Sequence, residues 1–129
     1  MSEIYNSQKA PEPVGAYPHA RQVGNLVFLS GVGPRKKGTH VIPGVDPHDI
    51  AIQTQSVIEN VQTILQDCGL ELKHIVDIQV FLTNMKRDFA TFNQVYNKTF
   101  AVLGPTRTTI EVGSLPTPIA VEFKVIAAR

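Results

Sequence analysis

The pattern of hydrophobic and polar residues predicts several short β-strands. Apolar runs, or alternation with a period of two, place these strands at residues 20–23, 26–30, 75–82, 106–112 and 119–125. The first two flank the dipeptide Gly24-Asn25, which is typical of a tight hairpin turn. In the third, Asp77 and Gln79 alternate with apolar residues, so this strand is predicted to have one wetter face.

Apolar residues at three- and four-residue steps predict a first helix after residue 46. The segment 46–49, Asp-Pro-His-Asp, is typical of a helix start. An aspartate can cap free amides, a proline fits the first turn, and a second acid suits the positive end of the helix dipole. The apolar stripe runs from Ile50 to Cys68, and Gly69 is expected to end the helix. Because Cys68 lies on this stripe, we interpret it as a core residue.

A second predicted helix completes an α+β pattern. It begins near Asp88, buries a stripe between residues 92 and 103, and stops at Gly104-Pro105. The order of elements predicts a sheet with two helices covering one face. The other face is predicted to mix apolar groups with polar ones, namely Asp77, Gln79, Thr109 and Glu111. Such a face is a candidate subunit interface.

Length and composition narrow the class of protein. The 129 residues are enough for one domain, 1–129, in which the Pro- and Gly-containing segment 1–18 is predicted to be a surface arm without regular hydrogen bonding. Lys and Arg number 12 against 11 Asp and Glu, which does not favour binding to nucleic acid or an anionic membrane. One cysteine, no secretion signal and no long apolar run predict a soluble, cytoplasmic protein.

The most informative chemistry lies in the two C-terminal strands. Alternation puts Arg107 and Thr109 on one side of the first strand. If residues 113–118 simply turn the chain back, Glu122 falls near Thr109 and diagonal to Arg107 on the same face. A guanidinium can clamp a substrate carboxylate and a nearby carboxylate can activate water, which suits hydrolysis of a small acid. The alternative is an exposed ion pair of little energetic weight.

Other candidate residues give weaker signals. The four histidines lie apart, without metal-ligand spacing, so a metal site is not expected. Ser30 precedes Gly31 but lacks the surroundings of a catalytic serine, and Gly31 could let a backbone amide approach a ligand. Tyr17 could pack on the surface or line a pocket. The basic run 35–37 could be a solvated loop or supply a second cation, and Asn93 could be an ordinary polar helix residue.

Several segments together resemble the reactive intermediate deaminases of the RidA or YjgF-like family. The matching segments are Gly15-Ala16-Tyr17-Pro18, residues 24–31, Gln53-Thr54, Glu59-Asn60-Val61, residues 88–93, Gly104-Pro105-Thr106-Arg107 and Val121-Glu122. The resemblance implies a chorismate-mutase-like α+β fold with a mixed sheet of about six strands and two helices packed on one face. It also implies a homotrimer whose sheets form a central barrel, with clefts between subunits.

The resemblance also implies cofactor-free hydrolysis of enamine or imine acids with release of ammonia. In that scheme Arg107 clamps the substrate carboxylate, Glu122 positions the attacking water and Gly31 offers its amide. Tyr17 and Ser30 line the cleft, with Asn93 a weaker candidate. Many family members have Ser and Cys directly after the arginine, whereas Thr108 and Thr109 stand here, so any role of that thiol is absent.

Some segments are more similar to one branch of the family, the 2-aminomuconate deaminases of aromatic degradation. They are residues 17–21, 31–35, 85–89 and 111–120. The substrate of that branch is a dicarboxylate, and His19, Arg35 or Arg87 could meet its second acid group. The segment 43–50 is short for this branch. The alternatives are a general imino-acid deaminase and a non-catalytic trimer that binds small acids or a regulatory partner.

Overall fold

A computed structural model describes residues 2–129 and contains one six-stranded sheet and two α-helices. The elements, in chain order, are β1 (Ser2–Tyr5), β2 (Ala20–Val23), β3 (Leu26–Leu29), α1 (Ile50–Asp67), a 3-10 turn (Leu72–His74), β4 (Ile75–Leu82), α2 (Met85–Phe100), β5 (Thr106–Glu111) and β6 (Val121–Ala128). The strand order is β1-β2-β3-β6-β4-β5, with β5 parallel to β4 and the other pairs antiparallel. The predicted α+β sheet is therefore confirmed. Within residues 2–129, no helix is both long enough and apolar enough to cross a membrane.

One face of the sheet and the apolar stripes of the two helices form the core. The alternation predicted for β4 is confirmed from Ile78 to Leu82, whereas Val76 is exposed beside a bulge. The stripe of α1 is buried as predicted, and Cys68 lies in the same core. Burial raises the pKa of the Cys68 thiol to about 11, which keeps it protonated and unreactive at neutral pH.

The opposite face of the sheet is open and carries many apolar side chains. Cross-strand register puts Phe28 beside Ile126, and Phe81 beside both Ile110 and Glu122. Asp77 and Gln79 lie on this face as predicted. Thr109 and Glu111 do not, because β5 places them on the helix side together with Arg107.

The two C-terminal strands do not form the predicted hairpin. Strand β4 lies between them, pairing parallel with β5 and antiparallel with β6. Arg107 is level with Ile78, which points toward the helices, whereas Glu122 is level with Phe81 on the open face. The expectation that Arg107 and Glu122 share one face of one chain was therefore wrong.

The N-terminal arm is more ordered than predicted. Residues 2–5 pair with β2 as an edge strand, and the buried His19 ring fixes the segment that follows. His19 Nδ1 accepts a hydrogen bond from the Ser7 N–H at 2.9 Å, and Nε2 lies 2.8 Å from the Pro11 carbonyl oxygen. Because Nδ1 is an acceptor, the Nε2–H donates to Pro11, and both ring nitrogens are used.

Both helices begin at caps that differ from the predicted starts. Asp49 caps α1 by accepting from the Ile52 N–H at 3.1 Å, so the capping aspartate is the second acid of the segment 46–49. Helix α2 begins three residues earlier than predicted, at Met85, where Asn84 accepts from the Arg87 N–H.

A buried carboxylate ties the start of α2 to the loop before α1. The Asp88 side chain is only 2% exposed and accepts from Arg87 at 3.0 and 2.9 Å and from His48 at 2.9 Å. Burial alone would raise the pKa of Asp88, but the hydrogen bonds from Arg87 and His48 outweigh it and hold the pKa below its usual value.

Replacing Asp88 with Ala should lower the free energy of unfolding by about 2 kcal/mol at pH 7, because it removes charge-assisted hydrogen bonds to Arg87 and His48. Urea unfolding measures the change. Because the folded-state pKa is lowered, this stabilisation is complete above the unfolded pKa of about 4 and is lost as pH falls through the folded value. Asp88→Asn should remove this part of the pH dependence, and a pH profile like that of the wild type would contradict it.

Candidate functional site

Arg107 lies on the helix side of β5, on a shelf of aromatic rings from α2. Its guanidinium carbon is 4.6 Å from the centre of the Tyr96 ring, 5.4 Å from Phe92 and 5.9 Å from Phe89. Arg107 Nη1 donates to Asn93 Oδ1 at 2.8 Å. The shelf and Asn93 hold the guanidinium in place, while its other N–H groups can still bind an anion.

Two buried hydroxyls lie on the elements that hold Arg107, and neither has a hydrogen-bond partner within the described chain. They are Tyr96 Oη and Thr109 Oγ1. Thr109 is two residues from Arg107 on the same face of β5, and the ring of Tyr96 underlies the guanidinium. Both oxygens are inaccessible to solvent in the described chain, and the same is true of Thr54 Oγ1 on α1. We call Arg107, Asn93, Tyr96 and Thr109 the anion half-site.

A second group of candidates lies at a cleft on the other side of the sheet. The cleft has a volume of about 140 Å³ and contains Glu122 and Gly31, with Tyr17 and Arg35 on its walls. Burial raises the pKa of the Glu122 carboxyl above its usual value. Glu122 forms no ion pair with a residue of the described chain, so its carboxylate is available to hold and deprotonate a water. We call this cleft the carboxylate half-site.

Gly31 adjoins Glu122 because the next residue pairs with β6. The Val32 N–H donates to the Phe123 carbonyl at 2.8 Å, and the Phe123 N–H donates back at 2.9 Å. A Cβ atom on Gly31 would lie 2.6 Å from Glu122 Oε2, which is closer than nonbonded contact allows. The absence of a side chain at this position therefore makes room for the Glu122 carboxylate.

Tyr17 and Ser30 lie near the same cleft in different ways. The Tyr17 side chain borders it, and its hydroxyl accepts from the Val14 N–H at 3.3 Å. Ser30 lines an adjoining narrow cavity of about 40 Å³, and its hydroxyl donates to the Pro18 carbonyl at 2.7 Å. Because the Ser30 hydroxyl donates its proton to a carbonyl, it has no base to activate it as a nucleophile.

The structure thus divides the six candidate residues into two groups. Arg107 and Asn93 form one group on the helix side, while Glu122, Gly31, Tyr17 and Ser30 form the other near the cleft. Sequence reasoning missed the aromatic shelf. The signal was the spacing of Phe89, Phe92 and Tyr96, which puts three rings on one side of α2.

Charged side chains around the site do not form a metal centre in the described part of the chain. Within residues 2–129, no group of three or more His, Cys, Asp or Glu side chains is placed to hold a metal ion.

Comparison with known proteins gives a consistent match along the chain. The model of the family described as Endoribonuclease L-PSP matches residues 7–129. A RutC family protein of Pyrococcus abyssi is 37% identical over 98% of this chain and 97% of its own length. Escherichia coli TdcF, named as a candidate reactive intermediate deaminase, is 35% identical over 100% of this chain and 98% of its own length.

Solved structures show the same architecture. The crystal structure of E. coli TdcF with bound serine has a TM-score of 0.88 and 35% identity, and the match covers 98% of each chain. That of yeast Mmf1 has a TM-score of 0.91 and 32% identity, covering 100% of this chain and 99% of that one. The aligned region therefore spans the positions of both half-sites.

Proposed function

The chain belongs to the Endoribonuclease L-PSP family, also known as RidA or YjgF-like, and we propose that it is a deaminase that hydrolyses imine or enamine acids. The observation that carries the proposal is the pair of half-sites. One presents a guanidinium held by Asn93 and three aromatic rings, and the other presents an unpaired, partly buried carboxylate in a cleft. An acid anchor and a water activator are the two groups that this hydrolysis needs.

In the proposed reaction, an imine and a water give a carbonyl compound and ammonia. Arg107 holds the substrate carboxylate, and Glu122 takes a proton from water as the oxygen bonds to the protonated imine carbon. The tetrahedral intermediate then receives that proton on nitrogen. Its C–N bond breaks and ammonia leaves as Glu122 takes the remaining hydroxyl proton and the C=O bond forms, and Glu122 returns this last proton to the ammonia, which departs as ammonium. An enamine first gains a proton at carbon to become the imine. The raised pKa of Glu122 makes it a stronger base than an exposed glutamate.

The half-sites lie on opposite faces of one sheet, so a working site needs two copies of the chain. We propose a homotrimer in which the open sheet faces form a central barrel and the anion half-site of one subunit meets the carboxylate half-site of its neighbour. The exposed apolar surface of the open face supports it, since Ile4, Leu26 and Ile110 are each more than 40% exposed there.

The finer proposal is that the substrate is 2-aminomuconate, in the cytoplasmic degradation of aromatic compounds. Its support is the similarity of residues 17–21, 31–35, 85–89 and 111–120 to that branch. The rival substrate is the short imino acid released by amino-acid enzymes, which agrees with the name of TdcF. Both substrates carry the carboxylate that Arg107 would bind.

Turnover of the two substrates separates these alternatives. We expect the protein to accelerate loss of 2-aminomuconate absorbance and to release an equal amount of ammonia. Activity on imino acids of alanine or serine alone would favour the general deaminase. Saturable acid binding that needs Arg107, with no ammonia release from any substrate, would favour a non-catalytic binding trimer and overturn the deaminase proposal.

Gly31→Ala should lower kcat by about 10- to 100-fold, because the new methyl group would displace the Glu122 carboxylate from the position in which it guides water. Gly113→Ala is the matched control, since a Cβ at Gly113 meets no atom within 4 Å. Steady-state ammonia release compares the two variants. A Gly31→Ala enzyme with the wild-type kcat would show that the contact with Glu122 has no catalytic role.

A further inference from the structure

Three basic side chains, those of His19, Arg35 and Arg87, are candidates for binding a second acidic group of a substrate, and two of them are already engaged. The His19 ring uses both nitrogens within the arm, at Ser7 and Pro11. Arg87 forms two hydrogen bonds with the buried Asp88. Neither of these two side chains can take a new anion without losing a structural contact.

The basic loop next to the cleft contains three consecutive cations in different environments. Lys36 pairs with Glu59 at 3.1 Å, and Lys37 pairs with Glu12 at 3.7 Å. Arg35 pairs with no carboxylate of residues 2–129, and it is the member of the run that lines the Glu122 cleft.

Backbone contact with the arm fixes the position of the Arg35 side chain. Its Nη2 donates to the Glu12 carbonyl oxygen at 2.8 Å. Lys37 also holds this part of the arm, because its ammonium group donates a hydrogen bond to the Gln8 carbonyl oxygen. A guanidinium has five N–H donors, so most donors of Arg35 are left for a ligand. The half-buried Arg35 is therefore oriented in advance, which favours binding of an anion.

We infer that Arg35 is a second anion anchor, which makes the site selective for acids that carry a second carboxylate away from the one held by Arg107. The inference rests on the proposed function, because Arg107 and Glu122 fix which end of the substrate reacts. Arg35 lies on the wall of the Glu122 cleft and is contributed by the same chain as Glu122. A diacid would thus be held at both ends, with its imine carbon between the two cations and next to the water on Glu122.

The test compares imino acids that differ in one terminal charge. The imino acids of aspartate, glutamate and 2-aminoadipate are matched with those of alanine, 2-aminobutyrate and norvaline, each made in situ by an amino-acid oxidase. We expect kcat/KM for at least one diacid to exceed that of its uncharged partner by about 10-fold or more. Arg35→Met should abolish this preference by lowering kcat/KM for the diacids about 10-fold more than for the monoacids, and Arg35→Lys should restore part of it.

Lys37→Met is the matched control, because it removes the same charge from the same loop but from a side chain outside the Glu122 cleft. It should keep the preference for diacids. The inference is overturned if the wild type shows no such preference or if Arg35→Met retains it. Equal losses of kcat/KM for diacids and monoacids in Arg35→Met would also overturn it, because a general loss is what displacement of the N-terminal arm would cause.

Binding of unreactive acids distinguishes failure of this inference from failure of the deaminase proposal. Calorimetry compares glutarate and adipate with butyrate and valerate on the wild type and on Arg35→Met. If no imino acid is turned over, the deaminase proposal fails, yet tighter binding of the diacids that depends on Arg35 still supports the second anchor. Equal binding of diacids and monoacids by the wild type rejects the anchor whatever the turnover.

Discussion

Replacing Arg107 with Ala is expected to lower kcat/KM for an imino acid by about 10³-fold, since it removes a charge-assisted anchor from a partly desolvated site. The guanidinium is oriented by Asn93 at 2.8 Å and by three aromatic rings, so water would not replace it in the same geometry. Steady-state ammonia release and calorimetry with an unreactive carboxylate measure the loss of turnover and of binding.

Arg107→Lys separates charge from shape. Lysine keeps the cation but lacks the planar fork, so we expect an activity between those of the wild type and Arg107→Ala. Lys73→Ala is the control for loss of a cation elsewhere, because Lys73 is exposed and its ion pair is with the exposed Glu71. Turnover at the wild-type rate in Arg107→Ala would remove this residue from the site.

The second large effect is expected for Glu122→Gln, in which kcat should fall by about 10²- to 10⁴-fold while binding of an unreactive acid is retained. Glutamine keeps the size of the side chain but cannot take a proton from water. Glu71→Gln makes the same exchange of a carboxylate for an amide at an exposed position, so it is the matched control. A wild-type kcat in Glu122→Gln would show that another group activates the water.

The raised pKa of Glu122 also fixes the direction of two pH effects. The proposed reaction needs the deprotonated carboxylate of Glu122. The fall of kcat on the acid side of its pH profile should therefore occur at a higher pH than it would with a glutamate of ordinary pKa. In the folded state a raised pKa favours the protonated form. Its stabilising contribution is therefore complete below the unfolded pKa and is lost as pH rises through the folded value. At neutral pH, Glu122→Gln should thus unfold at a temperature equal to or higher than the wild type.

Local periodicity was sufficient to predict most elements of the fold. The stripe from Ile50 to Cys68 and the alternation in β4 each follow from side chains a few residues apart, and both are found as predicted. Strand β1 was missed because four residues next to a Pro-rich arm give little alternation. The capping aspartate was misassigned because residues 46–49 offer two acids, and only the local backbone selects Asp49.

The relation between the two C-terminal strands could not be obtained from the same local rules. A short connection at residues 113–118 is compatible with a hairpin, but strand pairing depends on contacts between distant segments. The unit β4-α2-β5 gave the missed signal, because a helix between two strands favours parallel pairing of those strands. With β4 and β5 paired, β6 takes the other edge of β4, and Arg107 and Glu122 point to opposite faces.

The candidate site residues came from the sequence together with the family resemblance, and the structure divides them into two groups. It places Arg107 with Asn93, and it places Glu122 with Gly31 and Tyr17. The sequence did not show which candidates lie together, because the aromatic shelf and the two faces of the sheet form only when distant segments pack. A sheet face that mixes polar and apolar residues was expected and is found. Thr109 and Glu111, however, lie on the opposite face, which contacts the helices.

Mixing Arg107→Ala chains with Glu122→Gln chains tests most directly whether the site is shared between subunits. The two inactive variants are unfolded and refolded together in equal amounts, with each variant refolded alone as the control. If one subunit supplies Arg107 and its neighbour supplies Glu122, random assembly should restore about a quarter of the wild-type sites. A mixture that stays as inactive as its two components, although the chains have assembled together, would contradict the shared site.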